Sequence, residues 1–377
     1  MRRKPAPFAL ERFFARYEFC TEYLLAASDC EARTVGELLA LEPGAAQGLE
    51  RTWLGYGDSA GAPFLREAIG ALYTSSPGVL AASGAEEAIF AYAHAWLNPG
   101  DHVVAVTPCY QSLAELPASL GCELTPWRLR AEGGTWRLDP DELAALVRPS
   151  TALVIINAPH NPTGFQFDHG ELERVVAITR RAGARLLSDE VYRGLEYAPS
   201  GPLPAACDLY ERAASLGVMS KAYGLPGLRV GWLASHDTEA LAGAAVVKDY
   251  TTICGSAPSE FLAALALRQG STIMGRCREL VGQNLPLVRA AFGREGSAFE
   301  WLEPMAGPLA FPKLRGPLDD ATFCARLAEK HGVLLAPGSL FGQPGHVRVG
   351  FGRANAPEAL ARLEQALASD RELAVGT

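Results

Sequence analysis

Residues 218–231 of the chain read Val218-Met219-Ser220-Lys221-Ala222-Tyr223-Gly224-Leu225-Pro226-Gly227-Leu228-Arg229-Val230-Gly231. A lysine between small residues, directly after an apolar run, is poorly explained as a solvated surface charge. It is better explained as an amine that must reach a carbonyl group. Arg229 lies eight residues further on, still within the Gly-rich turn, and indicates that a phosphate lies nearby.

One small molecule that carries both a carbonyl and a phosphate is pyridoxal 5'-phosphate (PLP), which enzymes hold as a Schiff base on a lysine. Lys221 must lose its proton to form that bond, and burial or neighbouring cations lower the pKa of a lysine. A helix-cap or surface lysine is the alternative, but it does not account for Gly224, Gly227 and Arg229 at these offsets. The motif therefore predicts a lysine that binds PLP.

Short apolar runs alternate with helical patterns through the middle of the chain. The runs that predict buried strands are residues 103–106, 152–156, 185–187 and 216–219. Such alternation predicts an α/β protein with a parallel, doubly wound sheet. The runs are followed, in order, by Tyr110, Asn161, Asp189 and Lys221. Ligands of open parallel sheets bind beyond the carboxyl ends of the strands, so we expect these side chains to meet in one crevice.

The pattern changes after about residue 265. A long helix, bent at Pro286, is predicted over residues 276–292. Short strands are predicted at 299–302, 309–311, 333–335 and 347–351, and helices at 319–330 and 357–368. We therefore expect a large PLP-binding domain over residues 45–265. Residues 1–44 and 266–377 are expected to form a smaller α+β domain.

Composition argues against several classes of function. The chain has 377 residues, a net charge of -8 and a pI near 5.5, which argues against nucleic acid and against an anionic membrane surface. Its eight cysteines form no CxxC pair and no metal-ligand pattern, which predicts a cytoplasmic protein without a metal site. The basic N-terminus is followed by no long apolar stretch, so neither a signal peptide nor a membrane span is predicted.

Asp189 ends an apolar run, and a buried carboxylate there needs a partner. A protonated pyridine nitrogen is one candidate, and the alternative is a helix N-cap, where Asp is favoured. Tyr192 lies one turn further on, so its hydroxyl is placed to reach the phenolic oxygen of the same ring. Asn161, in the turn Asn157-Ala158-Pro159-His160-Asn161-Pro162-Thr163-Gly164, offers an amide donor to that oxygen.

Further candidate ligands lie before and after this region. Gly84, Ala85 and Glu86 open a predicted helix, where small residues let a phosphate approach backbone N–H groups. Tyr110 is suited to stack on a flat heteroaromatic ring, or else to pack in the core. Arg348 alternates with apolar residues, so its partner is either a substrate α-carboxylate or a structural salt bridge.

Three motifs together give the chain a family resemblance. The lysine motif, the turn Asn161-Pro162-Thr163-Gly164 and the stretch Asp189-Glu190-Val191-Tyr192 resemble those of the class I/II aminotransferases, a group of fold-type-I PLP-dependent enzymes. The resemblance runs in the expected order from about Tyr56 to Arg348. It implies a mostly parallel, seven-stranded central sheet with helices on both faces, plus a smaller α+β domain.

The resemblance also implies a role for each candidate residue. Lys221 forms the Schiff base, Asp189 pairs with the pyridine nitrogen and Tyr110 stacks on the ring, and these three are the expected catalytic residues. The other expected cofactor ligands are Gly84, Ala85, Glu86, Asn161, Tyr192, Ser220 and Arg229. The expected ligands of the substrate carboxylate are Arg348 and Asn161.

Tyr56 is similar to the tyrosine that reaches the phosphate of a neighbouring subunit in this family. The resemblance therefore implies a homodimer with shared active sites. Val218 departs from the family pattern, which usually has Ser or Gly at this position. One phosphate hydroxyl is therefore expected to be missing or to come from Ser220.

The segment Ala27-Ser28-Asp29-Cys30-Glu31 is a second departure from the family pattern. Its two carboxylates either favour a basic or polar amino acid at the substrate entrance or form a solvated turn. Together with Thr251-Thr252-Ile253-Cys254, this segment resembles capreomycidine synthase-like enzymes, which cyclise a guanidino amino acid.

The leading hypothesis is a PLP-dependent aminotransferase that moves an amino group between an amino acid and a 2-oxo acid, with Lys221 as base and acid. The alternative is a PLP-dependent lyase or cyclase that acts on a polar or basic amino acid by β/γ-elimination or capreomycidine-synthase-like cyclisation. A non-catalytic regulator is disfavoured, because the residues before Tyr56 show no basic recognition helix. The sequence leaves the amino donor, the acceptor and the pathway open.

Overall fold

The computed structural model describes residues 3–197 and 201–373. The helices are α1 (Ala9–Tyr17), α2 (Val35–Leu39), α3 (Ala45–Glu50), α4 (Pro63–Gly70), α5 (Ala85–Trp96), α6 (Gln111–Ser119), α7 (Pro140–Leu146), α8 (His169–Ala182), α9 (Ala206–Leu209), α10 (Thr238–Lys248), α11 (Ala257–Arg268), α12 (Gly270–Gly293), α13 (Asp320–His331) and α14 (Ala356–Ser369). The strands are β1 (Gly78–Ala82), β2 (His102–Thr107), β3 (Glu123–Arg128), β4 (Arg130–Glu132), β5 (Thr135–Arg137), β6 (Thr151–Asn157), β7 (Arg185–Asp189), β8 (Ala213–Val218), β9 (Gly231–Ser235), β10 (Phe299–Glu300), β11 (Leu309–Ala310), β12 (Lys313–Leu314), β13 (Ala336–Pro337) and β14 (Val347–Gly350).

The central sheet has seven strands in the order β1-β9-β8-β7-β6-β2-β3. The five strands from β8 to β3 in this order are parallel to one another. β9 runs antiparallel to both of its neighbours, β1 and β8. The expectation of a mostly parallel, seven-stranded α/β sheet is therefore confirmed.

The four predicted strands are buried on both faces, which explains why they read as continuous apolar runs. In β2, Val103 and Ala105 belong to the buried cluster that includes Ile89 of α5. Val104 and Val106 belong to the cluster on the other face, which includes Val175 of α8. The sheet therefore has helices on both of its faces.

The residues at the two ends of α8 determine where β7 begins and therefore where Asp189 lies. Asp168 caps α8 by accepting a hydrogen bond of 2.7 Å from the backbone N of Glu171, and the Glu171 side chain accepts one of 2.8 Å from the N of Asp168. Gly183, with φ of 69°, ends the helix in the left-handed conformation. β7 begins at Arg185, which places Asp189 at its carboxyl end.

The C-terminal region contains a three-stranded antiparallel sheet, β11-β14-β13, and the strand pair β10-β12. The predicted strand at 333–335 is wrong. Val333 instead forms an isolated bridge with Tyr23, and the backbone N of Leu334 donates to the carbonyl of Tyr23 at 2.8 Å. Helix α12 begins at Gly270, earlier than predicted, and continues through Pro286.

Within residues 3–197 and 201–373, no helix is long and apolar enough to cross a bilayer. The same residues hold no group of three or more His, Cys, Asp and Glu side chains placed to bind a metal ion. The predicted division at residues 44–45 and 265–266 stays a prediction.

Candidate active site

A cavity of about 430 Å³ lies beyond the carboxyl ends of β6, β7 and β8. The predicted site residues that line it are Ala85, Glu86, Tyr110, Asn161, Asp189, Tyr192, Ser220, Lys221 and Arg229. The four side chains that follow the predicted strands are thus brought together in one crevice. Their individual roles stay predictions.

Lys221 follows β8, and its Nζ donates a hydrogen bond of 2.8 Å to Oγ of Ser28. Burial lowers the pKa of its ammonium group; Asp29 opposes this shift and Arg348 adds to it. A lysine whose neutral form is favoured in this way is suited to attack a carbonyl.

Asp189 is the last residue of β7 and is 5% exposed. Its Oδ1 accepts a hydrogen bond of 3.2 Å from the N of Val191, and burial raises the pKa of its carboxyl group to about 7. Asp189 is followed by a turn over residues 191–194 rather than by a helix, so it is not an N-cap. A buried carboxylate of this kind is stabilised by a cationic partner such as a protonated ring nitrogen.

Arg348 lies in β14 and is 0% exposed. Its Nη1 donates to Oδ1 of Asn161 at 3.0 Å, and its Nη2 donates to the carbonyl of Ala26 at 2.8 Å. Among the residues that the structure describes, Nε has no hydrogen-bond partner and no carboxylate pairs with the guanidinium. Burial lowers the pKa of the Arg348 guanidinium, because a buried positive charge without a carboxylate partner is unfavourable. An incoming carboxylate would stabilise that charge.

Asn157, at the end of β6, fixes the turn that carries Asn161. Its Oδ1 accepts a hydrogen bond of 2.7 Å from the backbone N of Asn161. Its Nδ2 donates to the carbonyl of Pro159 at 3.1 Å and to that of Asp189 at 2.9 Å. The turn is thereby tied to the end of β7. Sequence reasoning missed this residue, although it opens the Pro-rich turn.

Two tyrosines offer different surfaces to the cavity. Tyr192 is 1% exposed, and no hydrogen bond of normal geometry from the described residues reaches its hydroxyl. Burial raises its pKa, so the hydroxyl keeps its proton and is available as a donor. Tyr110 is half-buried, and its ring centre lies 5.1 Å from that of Phe8. Tyr110 therefore offers a flat face at the edge of the cavity.

Gly84, at the N-terminus of α5, lies against Arg229. A Cβ at Gly84 would lie 2.3 Å from Nη2 of Arg229, and φ of Gly84 is 88°, so only glycine fits. Nη1 of Arg229 donates to Oγ of Ser220 over 3.5 Å. A guanidinium, a hydroxyl and the N–H groups of a helix N-terminus together suit a phosphate. Val218 also lines the cavity but offers no hydroxyl.

Tyr56 does not enter the cavity of its own chain. It is 82% exposed and lines a separate cleft with residues 254–258. The role predicted for Tyr56 requires a second chain and stays a prediction.

The N-terminal segment supplies side chains that sequence reasoning did not assign to the site. Phe8 and Glu11, at and within the first turn of α1, line the cavity, and Ser28 accepts the hydrogen bond from Lys221. For Phe8 and Glu11 the sequence predicts only membership of the smaller domain, and for residues 27–31 it considers Asp29 and Glu31 rather than Ser28. The one available signal was the amphipathic pattern of α1, which does not show what the helix contacts.

The two carboxylates expected at the substrate entrance are used elsewhere. Asp29 is 9% exposed and forms a salt bridge of 3.0 Å with Arg353, so it does not lie in a solvated turn. Glu31 accepts a hydrogen bond of 2.9 Å from the backbone N of Ala354. Neither carboxylate lines the cavity, because both are held by the loop after β14.

The polar features of PLP match the side chains of the cavity. The amine of Lys221 suits the aldehyde, and the carboxylate of Asp189 suits the ring nitrogen. The enclosed hydroxyl of Tyr192 suits the phenolic oxygen. Arg229 and the N-terminus of α5 suit the phosphate.

Comparisons of sequence agree with this match. The family model for aminotransferase class I and II matches residues 23–366. The capreomycidine synthase of Streptomyces vinaceus is 33% identical, over 91% of this chain and 88% of that protein. The probable N-succinyldiaminopimelate aminotransferase DapC of Mycobacterium tuberculosis is 31% identical, over 74% of this chain and 70% of that protein.

Solved structures are similar over nearly the whole chain. A PLP-dependent aminotransferase from Streptococcus suis has a TM-score of 0.90 and 32% identity, covering 98% of this chain and 100% of that chain. The PLP-dependent cyclase OrfR has a TM-score of 0.89 and 30% identity, covering 98% of both chains. The chain therefore belongs to the class I and II aminotransferases and is a PLP-dependent aminotransferase of fold type I.

Proposed function

We propose that Lys221 binds PLP covalently and moves the proton during transamination. The observation that carries this proposal is the position of its Nζ, which lies in the cavity 2.8 Å from Oγ of Ser28 with a pKa lowered by burial. Bound PLP supplies an electron sink that stabilises negative charge at the Cα of the substrate. The neutral Nζ takes the Cα proton as a general base and returns it as a general acid.

The remaining candidate residues hold and orient the cofactor. Asp189 keeps the ring nitrogen protonated, Tyr110 stacks on the ring, and Tyr192 with Asn161 binds the phenolic oxygen. The phosphate ligands are Gly84, Ala85, Ser220 and Arg229. Glu86 fits the predicted role as a phosphate ligand only through its backbone N–H, because its carboxylate would repel a phosphate.

Arg348 binds the α-carboxylate of the substrate, with Asn161 beside it. The support is a fully buried guanidinium that no carboxylate neutralises within the described residues. Because Ala26 and Asn161 already fix this guanidinium, its remaining donor positions are set before the substrate arrives. Preorganised donors of this kind orient a substrate without a further loss of side-chain entropy.

A half-reaction without an acceptor tests the proposal. The protein loaded with PLP is mixed with a panel of amino acids, including arginine and ornithine, and the released 2-oxo acid is measured. An aminotransferase releases one equivalent per site and stops, then resumes when a 2-oxo acid is added. Failure of every amino acid to yield a 2-oxo acid, at full PLP content, would contradict transamination.

A second candidate is cyclisation or elimination on a polar or basic amino acid. The similarities to the capreomycidine synthase, at 33% identity, and to the cyclase OrfR, with a TM-score of 0.89, favour it. Lys221 and Asp189 would serve this chemistry as well, because it also begins with loss of the Cα proton. Continuous turnover of an amino acid without any acceptor would identify this reaction in the same assay.

The protein is further proposed to be a homodimer with shared active sites. Exposed apolar side chains lie next to Tyr56 and in the segment that precedes the wall of its cleft: Trp53, Leu54, Tyr250 and Ile253. Large apolar side chains that are exposed in this way often mark an interaction site. A second copy would cover them and bring Tyr56 to the phosphate of the neighbouring site.

Subunit exchange tests the shared site. Lys221→Ala and Tyr56→Ala variants are mixed under conditions that allow subunits to exchange. If the sites are shared, a hybrid dimer has one site with both changes and one site with neither, so activity rises above that of either variant. Hybrids that form without any gain in activity would rule out a contribution of Tyr56 across the interface.

A cytoplasmic location and the division into domains over 45–265 and over 1–44 with 266–377 complete the proposal. Eight free cysteines fit a reducing compartment. Small-molecule amino acids and 2-oxo acids are the proposed partners, and neither nucleic acid nor a membrane is among them.

A further inference from the structure

Glu86 and Glu11 are carboxylates of the cavity for which the proposed function has no use. The other charged side chains that line the cavity are Asp189, Lys221 and Arg229. Under the proposed function, PLP matches these three through its ring nitrogen, aldehyde and phosphate. Two carboxyl groups therefore remain without a partner on the cofactor.

Glu86 differs sharply from its neighbour Glu87 in the same turn of α5. Glu87 is fully engaged, because it accepts hydrogen bonds from the N of Ser83 at 2.5 Å and from the hydroxyls of Thr251 and Thr252 at 2.5 and 2.6 Å. Oε2 of Glu86 is enclosed and has no hydrogen-bond partner in the described part of the chain. Glu87 therefore holds the fold together, whereas Glu86 lines the cavity without forming an ion pair with any described residue.

The surroundings of Glu86 favour a cationic ligand. Burial raises the pKa of its carboxyl group to about 7, Glu11 adds to this shift, and the hydroxyl of Ser112 only partly offsets it. No lysine or arginine of the described residues acts on this group. A cation beside the carboxylate would restore its charged form.

Glu11 faces the same space from the opposite wall, on α1. It lines the cavity and forms no hydrogen bond or ion pair with any residue in 3–197 and 201–373. Its charge raises the pKa values of Glu86, Tyr110 and Lys221. Glu11 is exposed to solvent, whereas Glu86 is partly buried.

We propose that Glu86 and Glu11 bind the distal ammonium or guanidinium group of the amino-acid substrate, so that the enzyme selects basic amino acids. This inference rests on the proposed function, since it takes the α-carboxylate to lie on Arg348. Asp29 and Glu31 do not compete for this role, because Arg353 and the backbone of Ala354 hold them.

Matched neutral substrates test the inference. We compare kcat/KM for L-arginine with L-citrulline and for L-lysine with L-norleucine, in the wild type and in Glu86→Gln, Glu11→Gln and the double variant. The wild type should prefer the cationic member of each pair. Glu86→Gln should lower that preference by about 30-fold, and the more exposed Glu11→Gln by about threefold. Glu173→Gln, an exposed change on α8, removes the same charge and should leave the preference unchanged.

Binding without turnover supplies a second readout. α-Methyl-L-lysine and α-methyl-L-norleucine lack the α-proton, so calorimetric titration of the PLP-loaded protein measures their affinities without proton transfer. Equal affinities in the wild type, or an unchanged ratio in both glutamine variants, would overturn the inference. A preserved preference for the lysine analogue, with no 2-oxo acid formed from any amino acid, would instead uphold it and contradict transamination.

Discussion

The two walls of the cavity are built in different ways. The wall at the ends of β6, β7 and β8 carries Asn161, Asp189 and Lys221, which follow buried strands. The opposite wall comes from α1 and the segment after it, and it carries Phe8, Glu11 and Ser28. The first wall is set by the parallel sheet, whereas the second lies against it through few hydrogen bonds.

This difference separates the chemistry from the choice of substrate. Residues at the ends of parallel strands keep their positions because the sheet is buried on both faces. A helix at the mouth is free to carry different side chains without disturbing that sheet. We therefore expect changes in the strand-end wall to lower the reaction rate and cofactor binding more strongly than changes in the helical wall.

The largest effect is expected for Lys221→Ala, which removes the general base from the strand-end wall. Turnover should fall by about 10⁴-fold, because no other neutral amine is placed in the cavity. Steady-state kinetics and the visible absorbance of bound PLP measure the change. Lys330→Ala, on the exposed side of α13, is the control. Retention of full activity by Lys221→Ala would refute the assignment of this lysine.

Arg348→Lys is expected to weaken substrate binding by about 100-fold, since one ammonium cannot replace a bidentate guanidinium. The effect should appear mainly in KM for the amino acid rather than in kcat. Arg174→Lys, on the surface of α8, controls for the substitution itself. A loss confined to kcat would indicate that Arg348 supports the fold of the site rather than binding the carboxylate.

Asp189→Asn is expected to change how stability depends on pH in the PLP-free protein. The carboxyl group has a pKa of about 7 in the folded protein and a usual value of 3.8 when exposed. The stability that its proton contributes is present below the lower value and is lost as pH rises through the higher one. Over that window, this group should lower the free energy of unfolding by about 1.4 kcal/mol per pH unit.

Urea unfolding of the PLP-free wild type and Asp189→Asn, from about pH 5 to about pH 8, measures this slope. The other titrating groups are common to both proteins, so the difference between the two curves isolates Asp189. We expect the variant to gain relative stability as the pH rises. Parallel curves would show that this carboxyl group is solvated in the folded protein.

The smallest effect is expected for Ser28→Ala, in the helical wall. Loss of one hydrogen-bond acceptor should lower kcat/KM by about threefold to tenfold. The acceptor stabilises the charged amine, so its loss should lower the pKa of Lys221 and move the acidic limb of the pH profile to lower pH. Ser28→Thr keeps the hydroxyl and should keep the profile. A fall in activity without this shift would assign Ser28 a purely structural role.

The strand-end wall was predictable because its signals are local. Asp189 and Lys221 each stand directly after an apolar run, and a rule of sheet topology brings such positions together. The antiparallel β9 was not predicted, because five buried residues do not reveal the direction of a strand. The strand predicted at 333–335 is wrong because the apolar run does not show what it pairs with. Val333 pairs with Tyr23, which lies far away in the sequence.

The helical wall was not predictable because its contacts are distant in the sequence. For Asp29 and Glu31 the sequence leaves two interpretations open, a role at the substrate entrance and a solvated turn. The side chain that neutralises Asp29 is Arg353, 324 residues further on. Glu86 is predicted from the sequence only as a cofactor ligand, and Glu11 is not predicted at all, because the sequence does not show that α1 and α5 border the same cavity.

The hydrogen bond between Arg348 and Asn161 decides how the amide of Asn161 is rotated. The amide oxygen accepts from Nη1 of Arg348, so the amide nitrogen is the atom left over for a second ligand. If Arg348 were replaced by a residue without a donor, the amide would be free to turn by half a rotation and offer an acceptor instead. The hydrogen bond from Arg348 therefore determines whether Asn161 presents a donor or an acceptor to that second ligand.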